Sequence, residues 1–300
     1  MKPIALFGIA AFKRTARVRR ALAAISAWAE SASARVCIHP QSAPLAPAGA
    51  LVAQDEKQFL AASDALVSVG GDGTFLAVAH MCLSCPKPVV GVNLGGMGFL
   101  TGIGPEHIAD ELEKLRKGEY RTINRVFLRA DLMRGGASAR TLRALNDVFV
   151  TRVGKPRLAR VTVHFGDEYV SDFRCDGMIV ASPAGSTAYS LSAGGPIVEP
   201  SVRTILLTPI CPHSLTERPL VLPDDRPLRL AFGDRRSELA LCADGIDSCP
   251  IEPGDEVTVT YDRNHASLIQ LSESSFFQSL RSKLGWGSDV AKREDDRDDS

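Results

Sequence analysis

The chain has 300 residues, with Lys plus Arg and Asp plus Glu both at 35, a formal net charge of zero and 45% hydrophobic side chains. That length suits two domains or one large one, with enough apolar residues for a good core. The neutral balance argues against a general nucleic-acid or anionic-membrane binder, which needs basic excess, so any phosphate affinity has to be local.

In chain order, residues 3–9 read as a first buried strand ending at Gly8. Thr15 to Ser31 has helical spacing, with Val18, Leu22, Ile25 and Trp28 on one face. Arg14, Arg17, Arg19 and Arg20 cluster there, as a solvated helix face or, second, as phosphate contacts. Val36 to Ile38 is a short strand, and residues 40–53, rich in Pro and Ala, are loop. Ala65 to Val69 is an apolar run that stops abruptly in Gly70-Gly71-Asp72-Gly73-Thr74, after which Phe75 to Met81 reads as helix. A strand feeding a glycine turn into a helix is a place where anions dock. A carboxylate among such glycines would repel phosphate unless it has its own task. Asp72 either caps its own turn, holds a magnesium ion or takes a proton from an attacking hydroxyl. No Gly-Lys-Thr or Gly-Lys-Ser follows, so this is not a Walker loop.

Val89 to Asn93 is another buried strand, followed by a second glycine cluster from Gly95 to Thr101, and Pro105 to Lys117 is an amphipathic helix. Strands alternating with helices predict a doubly wound α/β domain over residues 1–120, with ligands beyond the carboxyl ends of the strands. After Gly118 the period changes. Residues 125–132, 141–152, 160–165, 178–182, 228–232, 238–243 and 256–261 read as short strands, with another at 266–272, which predicts an all-β, sandwich-like domain over 121–270. Residues 271–290, with a helix from Ser275 to Leu284, would pack back on the first domain, and 291–300 is a charged disordered tail.

Leu145-Asn146-Asp147 lies within one of these apolar strands. An amide and a carboxylate there suit a ribose diol, or form a polar strand end. Asp176 follows Arg174 at the head of the 178–182 strand and can accept from a ligand amide. The small-residue run from Pro183 to Pro196 reads as a long turn that lets a flat ligand approach. Thr187, Tyr189, Ser190 and Ser192 supply its hydroxyls, and Tyr189 a ring for stacking. His213 reads as a hydrogen-bonded structural histidine, and Asp244-Gly245 as a hairpin turn.

Seven scattered cysteines, an odd number, suggest reduced thiols and a cytoplasmic location. Cys82 and Cys85 have metal-knuckle spacing without a second pair and read as buried or incidental thiols. Met1 to Gly8 is too short for a signal peptide, and no apolar run reaches the length of a membrane span.

Taken together, Gly70 to Thr74, Gly98-Phe99-Leu100-Thr101, Leu145-Asn146-Asp147, Asp176-Gly177, Gly185 to Pro196, Pro212-His213-Ser214-Leu215 and Lys283-Leu284-Gly285-Trp286 resemble the NAD kinase family over about residues 4 to 287. The first motif alone is shared with lipid kinases, which would need an acyl slot. A non-catalytic dinucleotide sensor is the other alternative. The resemblance implies transfer of the γ-phosphoryl of ATP to the adenosine 2′-hydroxyl of NAD, with Mg2+ or another divalent metal. It assigns Asp72 as the base, and Gly71, Gly73 and Thr74 as the frame for phosphate or ribose. Asn146 and Asp147 would hold ribose hydroxyls, Asp176 and Tyr189 would contact the base moieties, and Thr187, Ala188 and Ser192 would line the pocket. Arg174 and Arg157 would face phosphates or a neighbouring subunit. A homodimer or homotetramer is implied, with neither nucleic acid nor membrane as partner. Relatives often carry Glu where Asp147 stands, and Gln where Ile246 stands.

Overall fold

The computed structural model describes residues 1–95, 98–154, 157–233, 238–271 and 276–287. The chain divides into two compact units. One comprises Met1–Val78, Lys87–Ile123 and Leu268–Ser300, the other Ala79–Pro86 and Asn124–Ser267. The expected charged tail, 291–300, lies outside the described residues.

The first unit is built on four parallel strands, β1 (Leu6–Ala10), β2 (Arg35–Ile38), β3 (Ala65–Gly70) and β4 (Pro88–Asn93), in the order β2-β1-β3-β4. Helix α1 (Ala16–Ser31) is capped by Thr15, whose hydroxyl accepts from the Val18 N–H. It turns Val18, Leu22, Ile25 and Trp28 onto Ile9, Val67 and Val90, and the same core takes Ile108, Leu112 and Leu115 of α4 (Ile108–Lys117). Helix α2 (Glu56–Ala62) was not expected from the sequence. Its signal is local: Asp55 accepts from the Gln58 N–H as an N-cap, and only Phe59 and Leu60 of its seven residues are buried, too few to show a period. A Cβ at Gly8 would fall 2.9 Å from the Phe59 ring and 2.3 Å from the Ser63 hydroxyl, so β1 needs glycine where this segment crosses it. Ile269 and Leu271, near the chain's end, also belong to this core.

The expected glycine turn after β3 is shorter than the sequence suggests. Helix α3 (Asp72–Met81) starts at Asp72, with the Thr74 and Phe75 N–H groups donating to the Gly71 carbonyl. Gly70 permits this tight entry, because a Cβ there would lie 2.4 Å from the Thr74 hydroxyl.

The second unit is all-β. Its strands are β5 (Arg121–Arg134, from Asn124), β6 (Ala137–Ala144), β7 (Asp147–Val153), β8 (Ala159–Phe165), β9 (Glu168–Cys175), β10 (Gly177–Ala181), β11 (Thr204–Ile210), β12 (Leu220–Pro223), β13 (Leu228–Phe232), β14 (Glu238–Ala243), β15 (Asp247–Ile251) and β16 (Glu256–Gln270, to Ser267). One sheet runs β16-β13-β8-β9, with β5 beside β16 and β6 beside β5, and the other runs β12-β11-β10-β7-β14-β15. Inward residues of both sheets, among them Leu128, Val150, Val161, Val180, Leu230 and Leu241, fill one core, as in a sandwich.

Three expectations change here. Residues 141–152 form two strands rather than one, broken at Leu145 and Asn146, and the strands expected at 256–261 and 266–272 are one strand, β16, which ends at Gln270, with residue 272 outside the described residues. Strands β9, β11, β12 and β15 were not expected. β15 contains Pro250, which is tolerated because β15 is an edge strand, and proline in an apolar run argues against a strand when only sequence is read. The 183–196 stretch holds a 3-10 turn (Ala184–Thr187) and the one-turn helix α5 (Tyr189–Ser192). Helix α6 (Phe276–Leu284) closes the described chain.

Candidate functional site

In the first unit, the chemistry converges on Asp72. Its Oδ2 accepts from the Phe99 N–H at 2.7 Å and its Oδ1 from the Leu100 N–H at 3.3 Å, so the second glycine cluster folds back onto the first. Gly98 allows this approach, since a Cβ there would sit 2.5 Å from Asp72 Oδ1 and 2.6 Å from the Thr101 hydroxyl. Burial raises the Asp72 pKa above the usual carboxylate value, while the two N–H groups and the charge of Lys283 on α6 pull it back down. Lys283 is itself lowered by burial, against the attraction of Asp72. Around the carboxylate, Gly71 and Gly73 face open space, with nothing within 4 Å of a Cβ built on either, whereas Thr74 is buried.

The same unit contains a cavity of 820 Å³, lined by Arg17, Arg20, Asn93, Gly95, Thr101 and Lys283 among others. The arginines that read as a solvated face are exposed, but two of them border this cavity, and Arg17 Nη1 also donates to the Leu94 carbonyl at 3.3 Å.

In the second unit, Asn146 sits at the break between β6 and β7, Asp147 is the first residue of β7, and both are buried. The break exists because three successive N–H groups turn away from the sheet ladder toward one carboxylate, that of Asp244. Asn146 Oδ1 is buried with no hydrogen-bond partner among the described residues. Asp147 is pushed up to about 7, first by burial and then by the charge of Asp244, against a bond from the Tyr189 N–H. The 184–192 turn is seated directly on this pair. The Ser182 N–H donates to the Asn146 carbonyl at 2.8 Å, and a Cβ at Gly185 would lie 2.1 Å from that same oxygen. Tyr189 is 39% exposed and packs edge-on against Phe149, which leaves a ring face for a ligand. Thr187 is half-buried and its hydroxyl donates to the Ala184 carbonyl, Ala188 is half-buried and Ser192 is exposed.

Asp176 and Arg174 are placed differently. Asp147 pairs with Ala181 at one end of the β7–β10 ladder, and Thr151 with Gly177 at the other. Asp176 lies one residue beyond Gly177, so five residues of strand put it roughly 17 Å along the sheet from Asp147. Its carboxylate is already engaged by Arg152, with Nε at 3.0 Å and Nη2 at 3.2 Å. Arg174 is exposed on β9, and Arg157 is exposed beyond the end of β7. Within this chain, Asp176 therefore does not meet Tyr189. His213 is exposed, and its hydrogen bond is made by its backbone N–H to the Arg174 carbonyl rather than by its ring.

Two residues escaped sequence reasoning. Asp244 is in the expected hairpin turn between β14 and β15, but its carboxylate serves the β6–β7 break. His80, late in α3, bonds Asp244 at 2.8 Å. Nothing local marks either one. Their partners lie 97 to 164 residues away. Among the described residues the cysteines are not joined in disulfides, Cys82 is buried and Cys85 half-buried, and burial pushes Cys175 up to about 12. Among the described residues no helix is long and apolar enough to cross a membrane.

Comparison with known proteins gives a consistent result. The family descriptions "ATP-NAD kinase N-terminal domain" and "ATP-NAD kinase C-terminal domain" match residues 30–120 and 145–271. The chain is 39% identical to the NAD kinase of Moorella thermoacetica over 290 residues, covering 96% of this chain and 91% of that one. It is 46% identical to the NAD kinase of Heliobacterium modesticaldum over 224 residues, covering 75% and 79%. Among solved structures, a yeast NADH kinase complexed with NADH superposes with a TM-score of 0.87 at 29% identity, covering 96% of this chain and 90% of that one. An NAD kinase from Archaeoglobus fulgidus in complex with ATP gives 0.73 at 25% identity, covering 93% and 98%.

Proposed function

The chain belongs to the NAD kinase family, and from that membership we propose that it transfers the γ-phosphoryl group of ATP to the 2′-hydroxyl of the adenosine ribose of NAD, giving NADP. The observation that carries the reading is the setting of Asp72: a partly buried carboxylate at the start of a helix, flanked by two glycines that face open space. Asp72 is assigned as the base with Gly71 and Gly73 as phosphate-facing backbone, and Asn146 and Asp147 are assigned to the sugar hydroxyls.

Phosphoryl transfer asks the protein for alignment and charge neutralisation more than for covalent help. Asp72 orients the attacking hydroxyl and accepts its proton as the new O–P bond forms. Its raised pKa makes it a better base than an exposed aspartate, and the backbone bonds from Phe99 and Leu100 fix its direction. The cavity bordered by Arg17, Arg20 and Lys283 is our assignment for the donor triphosphate, because its cations lie in the same unit as Asp72 and Lys283 faces both. Among the described residues no group of three or more His, Cys, Asp or Glu side chains forms a metal cage. A divalent ion fits instead as part of the ATP substrate, held chiefly by the phosphates, as magnesium usually is.

A cytoplasmic homodimer or homotetramer belongs to the same reading. Sedimentation of the purified chain checks the assembly. The reaction is tested by incubating the chain with NAD, ATP and magnesium and following NADP with a coupled dehydrogenase. ATP-dependent NADP formation is expected. ADP release without NADP, or phosphorylation of diacylglycerol in its place, overturns the reading.

A further inference from the structure

Asp244 is a buried carboxylate that the reaction above does not use. Its side chain has no solvent exposure, and its backbone adopts a left-handed φ of 51° in the turn after β14. From that turn its Oδ2 accepts from the Leu145 N–H at 2.6 Å, and its Oδ1 accepts from the Asn146 N–H at 2.9 Å and the Asp147 N–H at 3.1 Å. Its own N–H donates to the Asp147 carbonyl at 2.9 Å. His80 Nε2 lies 2.8 Å from Oδ2, and the His80 ring is held edge-on against Phe127 at 5.5 Å.

A turn-capping aspartate bonds within its own turn. This one binds three consecutive N–H groups in another segment, at the break where β6 gives way to β7. The β6 ladder ends at Ala144 and β7 begins at Asp147, so between them the carboxylate directs the N–H groups while Ser182 holds the Leu145 and Asn146 carbonyls. The segment it holds carries a buried Asn146 Oδ1 with no partner among the described residues and the buried Asp147 beside it. Two polar side chains kept in a dry site need a backbone that cannot drift, because an error of about 1 Å in such a contact is costly.

We propose that Asp244, locked by His80, is the positioning residue of the Asn146–Asp147 pair, holding its backbone so that both side chains present oxygens to the ribose hydroxyls of NAD. The inference rests on the sugar-binding reading given under Proposed function. It assigns Asp244 to NAD affinity rather than to turnover. It also has an electrostatic consequence. The groups facing Asp147 are Asp244 from the β14–β15 turn and the Tyr189 N–H from α5, with His80 on α3 acting through Asp244. Ribose hydroxyls donate to ionised Asp147, so NAD binding strengthens as pH rises through about 7. Removing the Asp244 charge lets Asp147 ionise earlier, and the rise moves to lower pH.

The test uses the full chain and the variants Asp244→Asn and His80→Phe, measuring kcat, KM for NAD, KM for ATP and NAD affinity against pH. Asp244→Asn is expected to raise KM for NAD about tenfold or more while kcat stays within about threefold. KM for ATP should hold, and the pH rise in affinity should shift to the acid side. His80→Phe keeps a ring against Phe127 and removes only the bond to Asp244, and is expected to raise KM for NAD several-fold. A folded Asp244→Asn with the KM and pH profile of the parent overturns the proposal, as does a loss confined to kcat. If Asp244→Asn does not fold, His80→Phe decides, and a parental KM there overturns it. Asn146→Ala and Asp147→Asn separate the two readings. If neither changes KM for NAD, the sugar-binding assignment itself fails. If both raise it while Asp244→Asn does not, only the present inference falls.

Discussion

A carboxylate taken out of water is held in its charged form only by what the protein puts beside it. For Asp72, burial is opposed by two backbone N–H groups and by Lys283, so the group stays a usable base with a raised proton affinity. Asp72→Asn keeps the size and loses the proton acceptor. Dinucleotide binding, measured by calorimetry, is expected to persist while kcat falls by about 10²- to 10⁴-fold. A kcat within a few-fold of the parent would show that Asp72 is not the base. Asp147 is the opposite case, since burial and the neighbouring Asp244 both raise it, to about 7. Its folded pKa lies above its unfolded value of 3.8, so the folded state holds the proton more tightly. That contribution to stability is complete below about pH 4 and is lost as pH climbs toward 7, with a slope of up to about 1.4 kcal/mol per pH unit. Asp147→Asn cannot titrate, and its Tm is expected to fall less than the parent's between pH 4 and 7.

Glycines divide by what stands in front of them, which only the packing of elements shows. At Gly73, in the first turn of α3, a Cβ meets nothing within 4 Å. Gly73→Ala is therefore expected to leave Tm unchanged or slightly higher, because alanine favours the helix, and to cut activity by obstructing the phosphate approach. At Gly185, a Cβ would lie 2.1 Å from the Asn146 carbonyl oxygen, a backbone atom that cannot swing aside. Gly185→Ala is expected to cost roughly 1–3 kcal/mol of stability and to raise KM for NAD by lifting the turn off Asn146 and Asp147. Thermal melts with paired kinetics distinguish the two behaviours, and an equal stability loss at both sites would refute the contrast. The pairing of β10 with β7 also explains why its run reads as continuously apolar. One face meets the sandwich core, and the other, with Ile179 and Ala181, is covered by Ala193 and Val198.

Across the whole molecule, the first unit is completed by the chain's far end. Ile269 and Leu271 enter its core, and Lys283 brings its charge to Asp72 from more than two hundred positions away in sequence. Lys283→Met removes the charge that lowers Asp72. The acid limb of the kcat/KM profile, which reports ionisation of the base, is then expected to move to higher pH, while the fold and the alkaline limb hold. An unmoved limb would mean that Lys283 does not act on the base.

What the chain's order of residues determined by itself was everything that repeats or terminates locally. The Val18-Leu22-Ile25-Trp28 stripe set α1, the run into Gly70-Gly71-Asp72 set β3, and apolar runs with turn punctuation set β13 and β14 to the residue. Spacing along a chain encodes the period of an element, so these were legible. Tertiary structure alone decided where α3 begins, that the strand expected over 141–152 breaks at Asn146, that Asp176 is tied to Arg152 away from Asp147, and that Asp244 and His80 serve a segment far off in sequence. The reason is that a hydrogen bond between distant segments leaves no period behind. A turn aspartate looks the same in sequence whether it caps its own turn or anchors another, and only the folded chain shows which N–H groups it receives.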